Sequence, residues 1–363
     1  MFFIGYTSLA VVSAIMLSYI LQTKRRTYFL LSIVAIFLML AARFFRRPRP
    51  DLFHSVPVSE IVSFTAYFLI GSVLIISLIL TICAVVYFVL DRKKKQIRRP
   101  IRILIPFALC LLCVSFALYG GLRHPAPKYL EIHSQYIPES LDGYRIVQLS
   151  DIHLDSRMKM RHFRKTVDII NSLNPDLVLI TGDVIDPGVD TSSNSDGFFS
   201  AIKARDGVYA SMGNHEVYYS VLANPAQILR RMGLNVLDNE SINLERLRIT
   251  GIGDIYAEKI PTEKVMSLIG NDASMPEIVM THRPILYKEI AKKRPLLVLS
   301  GHTHRGQIFP FSLIVKLVNR YFYGYYRIAD THFYVTSGTD AWGPRMRFLS
   351  PTEIPVITLK QGN

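Results

Sequence analysis

Cysteine is nearly absent from this sequence of 363 residues, which contains only three. Cys83, Cys110 and Cys113 all fall inside long apolar runs in the first third of the chain. The remaining two thirds therefore cannot contain a disulfide framework, a thiolate metal site or a cysteine nucleophile. Internal repeats are also absent, and the one low-complexity stretch is the polar segment at 190–197.

Acidic residues are scarce before residue 129, where three stand against 16 lysines and arginines. Beyond that point 25 acidic residues nearly balance 26 basic ones, so the net charge of +14 comes almost entirely from the N-terminal third. These basic residues lie between apolar runs, where the positive-inside bias of membrane proteins places them. The charge therefore does not call for a nucleic-acid partner, and we expect none.

Charged residues are also rare within four long apolar runs that fill most of residues 1–125. The runs cover Phe2 to Leu21, Tyr28 to Phe45, Ile61 to Leu90 and Ile101 to Leu122. Each approaches or exceeds the roughly 20 residues that a helix needs to cross a bilayer. We predict four transmembrane helices and a multi-pass protein of the cell membrane, because runs of this length and composition are rare in soluble cores.

The basic residues also predict the orientation of the chain. Ten of them lie on one side of the predicted spans and six on the other. The richer side is expected to be cytoplasmic. With four spans, both termini and everything after Leu122 are then extracytoplasmic.

After residue 143 the pattern changes to short apolar strands that alternate with helical segments. Five strands lie in YRIVQLSDIH, PDLVLITGD, GVYASMGNHE, EIVMTHRP and PLLVLSGHTH. The alternation predicts an α/β domain over 144–363, preceded by a linker at 126–143. A helix is expected from about Val217 to Met232, and NLERLRITGIGD, THFYVTSG and IPVITL predict antiparallel strands of a second sheet.

Side chains that commonly bind metals follow each of the five strands. They are Asp151 and His153, Asp183, Asn214 and His215, His282, and His302 and His304. The carboxyl ends of strands in an open α/β sheet line one crevice, so residues far apart in sequence can meet there. Half of the ten histidines fall at these strand ends, which a scattered distribution does not explain. Nitrogen and oxygen ligands without thiolate suit manganese, iron, zinc or magnesium alike.

The motifs DIH, GD, GNHE, an isolated histidine and GHTH, in this order, resemble the five motifs of the calcineurin-like metallophosphoesterase superfamily. The resemblance covers about Gly143 to Leu359. The tail SGTDAWGPRMRFLSPTEIPVITL is similar to a bacterial membrane-associated branch, related to phosphodiesterases of UDP-diacylglucosamine-type lipid A precursors. The resemblance implies a four-layer α/β/β/α sandwich and two divalent metal ions as cofactors.

The resemblance also implies roles for the residues that match its motifs. One metal would be held by Asp151, His153, Asp183 and His304, and the other by Asp183, Asn214, His282 and His302. A hydroxide that bridges the metals would attack phosphorus, and His215 would donate a proton to the leaving oxygen or stabilise charge on the phosphoryl group.

Two positions depart from the pattern of many relatives, because Arg283 follows the isolated histidine and Arg305 follows the last one. Guanidinium binds phosphate through paired hydrogen bonds, so we expect one or both to contact an anionic group of the substrate. Arg347, in the tail, is a further candidate for the same role. The alternative is that these are solvated arginines on surface loops.

The sequence thus predicts a membrane-anchored, dinuclear-metal phosphohydrolase that cleaves phosphodiester, phosphomonoester or pyrophosphate bonds. Tethering to the membrane favours a lipid or a lipid-linked phosphate as substrate, and the sequence leaves protein partners open. The alternative is a membrane scaffold or sensor whose phosphoesterase domain binds metal without turnover. Every matched position carries a suitable residue, which favours the enzyme.

Overall fold

The computed structural model describes residues 2–22, 41, 56–95, 97–186, 189, 192, 195–219, 224–270 and 275–362. The chain forms two compact units. The helical unit comprises Met1–Arg123, Gln307–Leu313 and Gly343–Ser350. The sandwich unit comprises His124–Gly306, Ile314–Trp342 and Pro351–Asn363.

Three long helices are described in the helical unit: α1 (Phe2–Leu21), α2 (Val56–Arg92) and α3 (Arg99–Leu122). They coincide with three of the four predicted spans. The whole of α3 and the segment Glu60–Arg92 of α2 are long and apolar enough to cross a membrane. The predicted span Tyr28 to Phe45 lies, apart from residue 41, outside the described residues, so the number of spans stays a prediction.

The carboxylate of Asp91 joins the three helices at one end. It accepts hydrogen bonds from both terminal nitrogens of Arg102, at 2.9 and 3.0 Å, and from the hydroxyl of Tyr19 at 3.0 Å. The Arg102 guanidinium also lies over the rings of Tyr19 and Tyr87. Because the Arg102 side chain is only 2% exposed, removing its partner would leave an uncompensated buried charge.

Two segments from later in the chain pack against α2 and α3 within the helical unit. The backbone N–H of Arg347 donates to the carbonyl oxygen of Ala117 at 2.8 Å. Glycines allow this close approach, because a Cβ on Gly120 would lie 2.5 Å from the Arg347 carbonyl oxygen and one on Gly71 would lie 2.7 Å from the Met346 sulfur. Part of the tail motif therefore belongs to the helical unit.

Two six-stranded mixed sheets form the sandwich unit. The first contains, in spatial order, β1 (Ala126–Ser134), β12 (Glu353–Gln361), β2 (Arg145–Leu149), β3 (Leu177–Thr181), β4 (Val208–Ser211) and β5 (Asn235–Val236). The second contains β10 (Gly324–Ile328), β11 (Thr331–Val335), β9 (Leu297–Ser300), β8 (Glu277–Thr281), β7 (Arg248–Ile252) and β6 (Glu240–Asn243). Strands β2 to β5 are mutually parallel, as are β7, β8, β9 and β11, so within each group the carboxyl ends lie at the same edge.

Helices cover the outer faces of both sheets. The shorter helices are α4 (Arg157–Ser172), α5 (Asn214–Tyr219), α6 (Pro225–Arg231), α7 (Thr262–Leu268), α8 (Tyr287–Ala291) and α9 (Phe311–Val318), and of these α4, α6, α7 and α8 pack on the sheets. One apolar core lies between α4, α6 and the first sheet, a second between the two sheets, and a third between the second sheet and α7 and α8. This arrangement confirms the predicted α/β sandwich.

Local sequence explains the central elements. Strand β3, with the sequence LVLIT, is buried at all five positions because both of its faces are covered. Helix α4 begins after Ser156, whose side chain accepts the backbone N–H of Lys159 as an N-cap. The helix then buries Phe163, Val167 and Ile170 at helical spacing, which seats it in the core beside the first sheet.

Three details differ from the expectations drawn from sequence. The segment 126–143, predicted as a linker, contains β1, which pairs in parallel with β12 along its full length. The single helix expected from about Val217 to Met232 is two helices, because Pro225 starts a new one. The run IPVITL lies in β12 of the first sheet, since its partners are chosen by tertiary packing that the alternation pattern does not specify.

Candidate metal centre

The metal-type side chains follow the carboxyl ends of strands from both sheets. Strands β2, β3 and β4 of the first sheet end before Asp151, Asp183 and Asn214, whereas β8 and β9 of the second end before His282 and His302. The sequence pattern suggested one open sheet, but two sheets supply the residues. Asp151, Asp183 and His302 have positive φ angles of 54°, 53° and 69°, a conformation uncommon for these residues that clusters at functional sites.

Asp151, His153 and His304 form the first of two adjacent groups. His304 Nε2 lies 3.2 Å from Asp151 Oδ1 and 3.1 Å from His153 Nε2. His153 Nε2 in turn lies 3.8 Å from Asp183 Oδ2. The four side chains that the resemblance assigns to one metal are therefore brought together.

Asp183, His282 and His302 form the second group. His282 Nε2 lies 3.1 Å from Asp183 Oδ2, and His302 Nδ1 lies 3.2 Å from His282 Nε2. The same oxygen of Asp183 therefore faces a histidine of each group. Asn214, the remaining expected ligand, is 5% exposed, and no described residue forms a hydrogen bond with its Oδ1.

These residues fit divalent cations. A buried amide oxygen without a hydrogen-bond donor is costly, and a cation would satisfy Asn214 Oδ1. His282 Nδ1 donates to the carbonyl oxygen of Thr181 at 2.8 Å, so its other nitrogen is directed at Asp183. In the same way His153 Nδ1 donates to Asp186 Oδ1 at 3.2 Å and leaves Nε2 for the centre. A carbonyl or carboxylate behind each ring is the usual support of a metal-binding histidine.

The electrostatics of the centre also favour cations. Burial raises the pKa of Asp183, but the charges of His282 and His215 outweigh burial and hold that pKa well below its usual range. Burial lowers the pKa of His282, but the charge and hydrogen bond of Asp183 outweigh burial and raise it to about 10. The ionised Asp183 carboxylate thus keeps His282 protonated. A divalent cation that bound between the two side chains would displace this proton.

Asp186 is a buried carboxylate of the centre that the sequence analysis did not single out. Its Oδ1 accepts from Nδ1 of His153 and from Nδ1 of His215, so one oxygen orients both rings. Burial raises the pKa of Asp186, but the charges of these two histidines lower it well below its usual range. The signal in the sequence was a second carboxylate three residues after Asp183, in GDVID.

His215, the expected proton donor, lies beside the centre with its Nε2 3.9 Å from Asp183 Oδ2. Burial lowers its pKa, but the hydrogen bond that it donates to Asp186 and the charge of Asp183 raise the pKa to about 9. The ring therefore favours its protonated form near neutral pH, as a general acid requires.

Glu216, the residue after His215, supports the loops of the centre. Its carboxylate is fully buried and accepts backbone N–H groups of Asp183, Val184, Ile185 and Gly213 at 2.7–3.0 Å. Burial raises the pKa of Glu216. Such an acceptor holds the turn after β3 against the turn after β4, and the sequence alone did not indicate this function.

The three arginines considered for substrate binding lie in different surroundings. Arg283 Nε donates to Asp254 Oδ2 at 2.6 Å, and its Nη1 lies 2.7 Å from His302 Nε2, so the structure pairs it with a residue of the centre. Arg305 lies over the ring of Tyr323, 4.5 Å from its centroid. Arg347 belongs to the helical unit and is 1% exposed.

Trp342, the only tryptophan of the chain, lies beside His215. The two rings meet edge to face with centroids 5.8 Å apart, and the tryptophan is 46% exposed. Tyr218, 57% exposed, lies on another side of His215 with a centroid distance of 6.3 Å. The expected proton donor therefore has aromatic surface next to it that is open to solvent.

Comparisons with known proteins agree with this centre. Residues 144–306 match the calcineurin-like phosphoesterase family. The chain is 35% identical over 271 residues to a "Transmembrane protein with metallophosphoesterase domain" of Danio rerio, a match that covers 69% of this chain and 62% of the relative. It is 32% identical over 280 residues to an uncharacterized metallophosphoesterase of Helicobacter pylori, with 76% and 74% covered.

Among solved structures, a dimetal phosphatase from Danio rerio overlaps with a TM-score of 0.33 at 12% identity, covering 55% of this chain and 88% of the other. The chain spans less than two thirds of the length of the Danio rerio transmembrane protein named above. On the sequence matches and the site they contain, the chain belongs to the calcineurin-like metallophosphoesterase family.

Proposed function

We propose that the protein is a membrane-anchored phosphoesterase that holds two divalent cations in the centre described above. The observation that carries the proposal is the position of Asp183 Oδ2, which lies 3.8 Å from His153 Nε2 and 3.1 Å from His282 Nε2. A carboxylate placed between two histidine groups suits a bridging ligand. The two adjacent groups on either side of Asp183 support a count of two cations.

In this proposal the ligands divide between the cations as the groups are arranged. Asp151, His153, Asp183 and His304 hold one cation, and Asp183, Asn214, His282 and His302 hold the other. Asp186 is a positioning residue, because its carboxylate accepts hydrogen bonds from the rings of both His153 and His215 and so orients them. Arg283 positions His302 through the contact with its Nε2.

Bound cations supply positive charge against the phosphoryl oxygens and increase the acidity of a bound water. The chain supplies the remaining steps. His215, kept protonated by Asp186, donates its proton to the leaving oxygen. Trp342 and Tyr218 contact the leaving group, since both have exposed aromatic surface next to His215.

We propose a lipid-linked phosphate as the substrate class, with nucleotide-linked glycolipid precursors as one member of it. Support comes from α2 and α3, which are long enough to cross a bilayer, and from the transmembrane protein named among the relatives. In this proposal the sandwich unit is extracytoplasmic, because the side richer in basic residues is expected to be cytoplasmic and four predicted spans end on the opposite side. A site tethered to the membrane meets lipid substrates far more often than soluble ones.

The rival function is a scaffold or sensor that binds metal without turnover. We favour the enzyme because each expected ligand and the expected proton donor are present and adjacent.

Hydrolysis by the purified full chain tests the proposal. The protein is stripped of metal, reloaded with manganese, and offered a bis-aryl phosphate and an aryl monophosphate, beside Asp183→Ala and the surface control Asp330→Ala, which is 42% exposed. We expect metal-dependent turnover in the parent and in Asp330→Ala, and none in Asp183→Ala. The ratio of the two rates separates diesterase from monoesterase activity. Two bound metals per chain without turnover on these esters or on a lipid pyrophosphate would favour the scaffold.

A further inference from the structure

Helix α9 exposes four of its apolar side chains. Leu313, Ile314, Leu317 and Val318 are 52%, 56%, 85% and 74% exposed, and none of the eight residues of the helix is buried. Residues at spacings of three and four lie on one face of a helix, so these four form a continuous apolar surface. Soluble surfaces rarely leave such a patch uncovered.

The surroundings of this patch are basic and aromatic. From Arg305 to Ala329 the chain contains no acidic residue but four basic ones: Arg305, Lys316, Arg320 and Arg327. The same stretch contains seven phenylalanines and tyrosines. Lys316 and Arg320 are exposed. Apolar side chains combined with basic and aromatic ones are typical of segments that lie in a bilayer interface.

We propose that α9 is an interfacial helix, which inserts Leu313, Ile314, Leu317 and Val318 among the acyl chains of an anionic lipid surface while Lys316 and Arg320 contact its headgroups. The proposal rests on the membrane location proposed above and not on the phosphoesterase activity. A second copy of the chain is less suited to cover the apolar surface of α9. A stable dimer interface buries about 800 Å² on each partner, contributed by some 20–30 residues, and this helix offers four apolar side chains.

The position of α9 in the chain gives the inference a functional consequence. The helix begins seven residues after His304 of the proposed metal centre. Seven residues span at most roughly 25 Å, so a helix held in the interface keeps that histidine within this distance of the lipid. A phosphate attached to a lipid headgroup lies in the same zone.

Tryptophan fluorescence in nanodiscs tests the proposal on the full chain. Trp342→Phe removes the only tryptophan, and Leu317→Trp in that background places a probe on the apolar face of α9. Tyr136→Trp, at a position 49% exposed, is the matched control. The discs contain phosphatidylglycerol and phosphatidylcholine, with or without bromine on the upper acyl chain.

We expect bromine to quench the probe at position 317 by about twofold or more and to leave the probe at 136 nearly unchanged. Adding Lys316→Glu and Arg320→Glu should abolish most of this quenching. A probe at 317 that is not quenched overturns the proposal, whether its emission is that of a water-exposed or of a protein-covered indole. Failure of the chain to enter the discs would instead contradict the membrane location.

Discussion

Replacing Asp186 by asparagine tests how the centre is organised. The change is isosteric but removes the negative charge that faces Nδ1 of both His153 and His215. Loss of a carboxylate behind a metal-binding histidine typically costs 10–100-fold in metal affinity or activity. Because the same oxygen of Asp186 orients a proposed metal ligand and the proposed proton donor, the substitution should change both metal affinity and kcat. We expect about tenfold weaker metal binding and a kcat about 10–100-fold lower.

The pH dependence of activity tests the same role of Asp186 by a second measurement. Asp186 raises the pKa of His215, which is about 9 with the carboxylate in place. A proton donor is active below its pKa, so activity should fall as pH rises through the pKa of His215. Without the charge of Asp186 this alkaline limb should move to lower pH.

Metal titration of the apoprotein and a pH profile of kcat, on the parent and on Asp186→Asn, measure both effects. Asp168→Asn, an exposed position on α4, is the control and should behave as the parent. A variant that binds metal as tightly as the parent and keeps its alkaline limb would refute the role assigned to Asp186.

Three further changes probe other parts of the molecule. Lys159→Met removes a buried ammonium that donates to the carbonyl oxygens of His153 and Ala341 at 2.8 and 3.0 Å. The free energy of unfolding, measured by chemical denaturation, should fall by about 2 kcal/mol and no more, because the partner carboxylate of Asp155 is partly solvated. An unchanged denaturation midpoint would contradict this. Trp342→Ala should raise KM about fivefold for an aryl ester while kcat stays near the parent value, and an unchanged KM would exclude contact with the leaving group. Burial lowers the pKa of His332 to about 4, so the stability that its neutral ring contributes is present above pH 6.5 and lost as pH falls towards 4. In His332→Gln the free energy of unfolding should fall less steeply over this pH range than in the parent. The same pH dependence in variant and parent would contradict the prediction.

Much of the site could be predicted from the sequence because strand ends are local features. An apolar run followed by Gly, Ser or Thr and then by Asp, Asn or His indicates where a buried strand stops, and the residues that follow are expected at one edge of a sheet. This pattern predicted all five strands before the metal-type residues. The three apolar helices described in the first 122 residues were predicted from the length of their apolar runs.

The errors arose where partners distant in sequence decide the outcome. Segment 126–143 looked like a linker, since a strand at a sheet edge has a weak pattern until its neighbour, β12, is known. Asp186 was overlooked because nothing in GDVID shows that the second carboxylate turns towards two histidines from other loops. The contacts of Glu216 with the turns after β3 and β4 were not predictable for the same reason.

By itself the sequence determined the apolar helices, the α/β class and the set of side chains that can bind metal, because each depends on composition and short spacing. Only the tertiary structure decided that two sheets share the centre, that Asp183 faces both histidine groups, and that part of the tail packs on glycines of α2 and α3. These features depend on which buried surfaces meet. Close packing and the pairing of buried charges select that arrangement across hundreds of residues, and no local pattern encodes it.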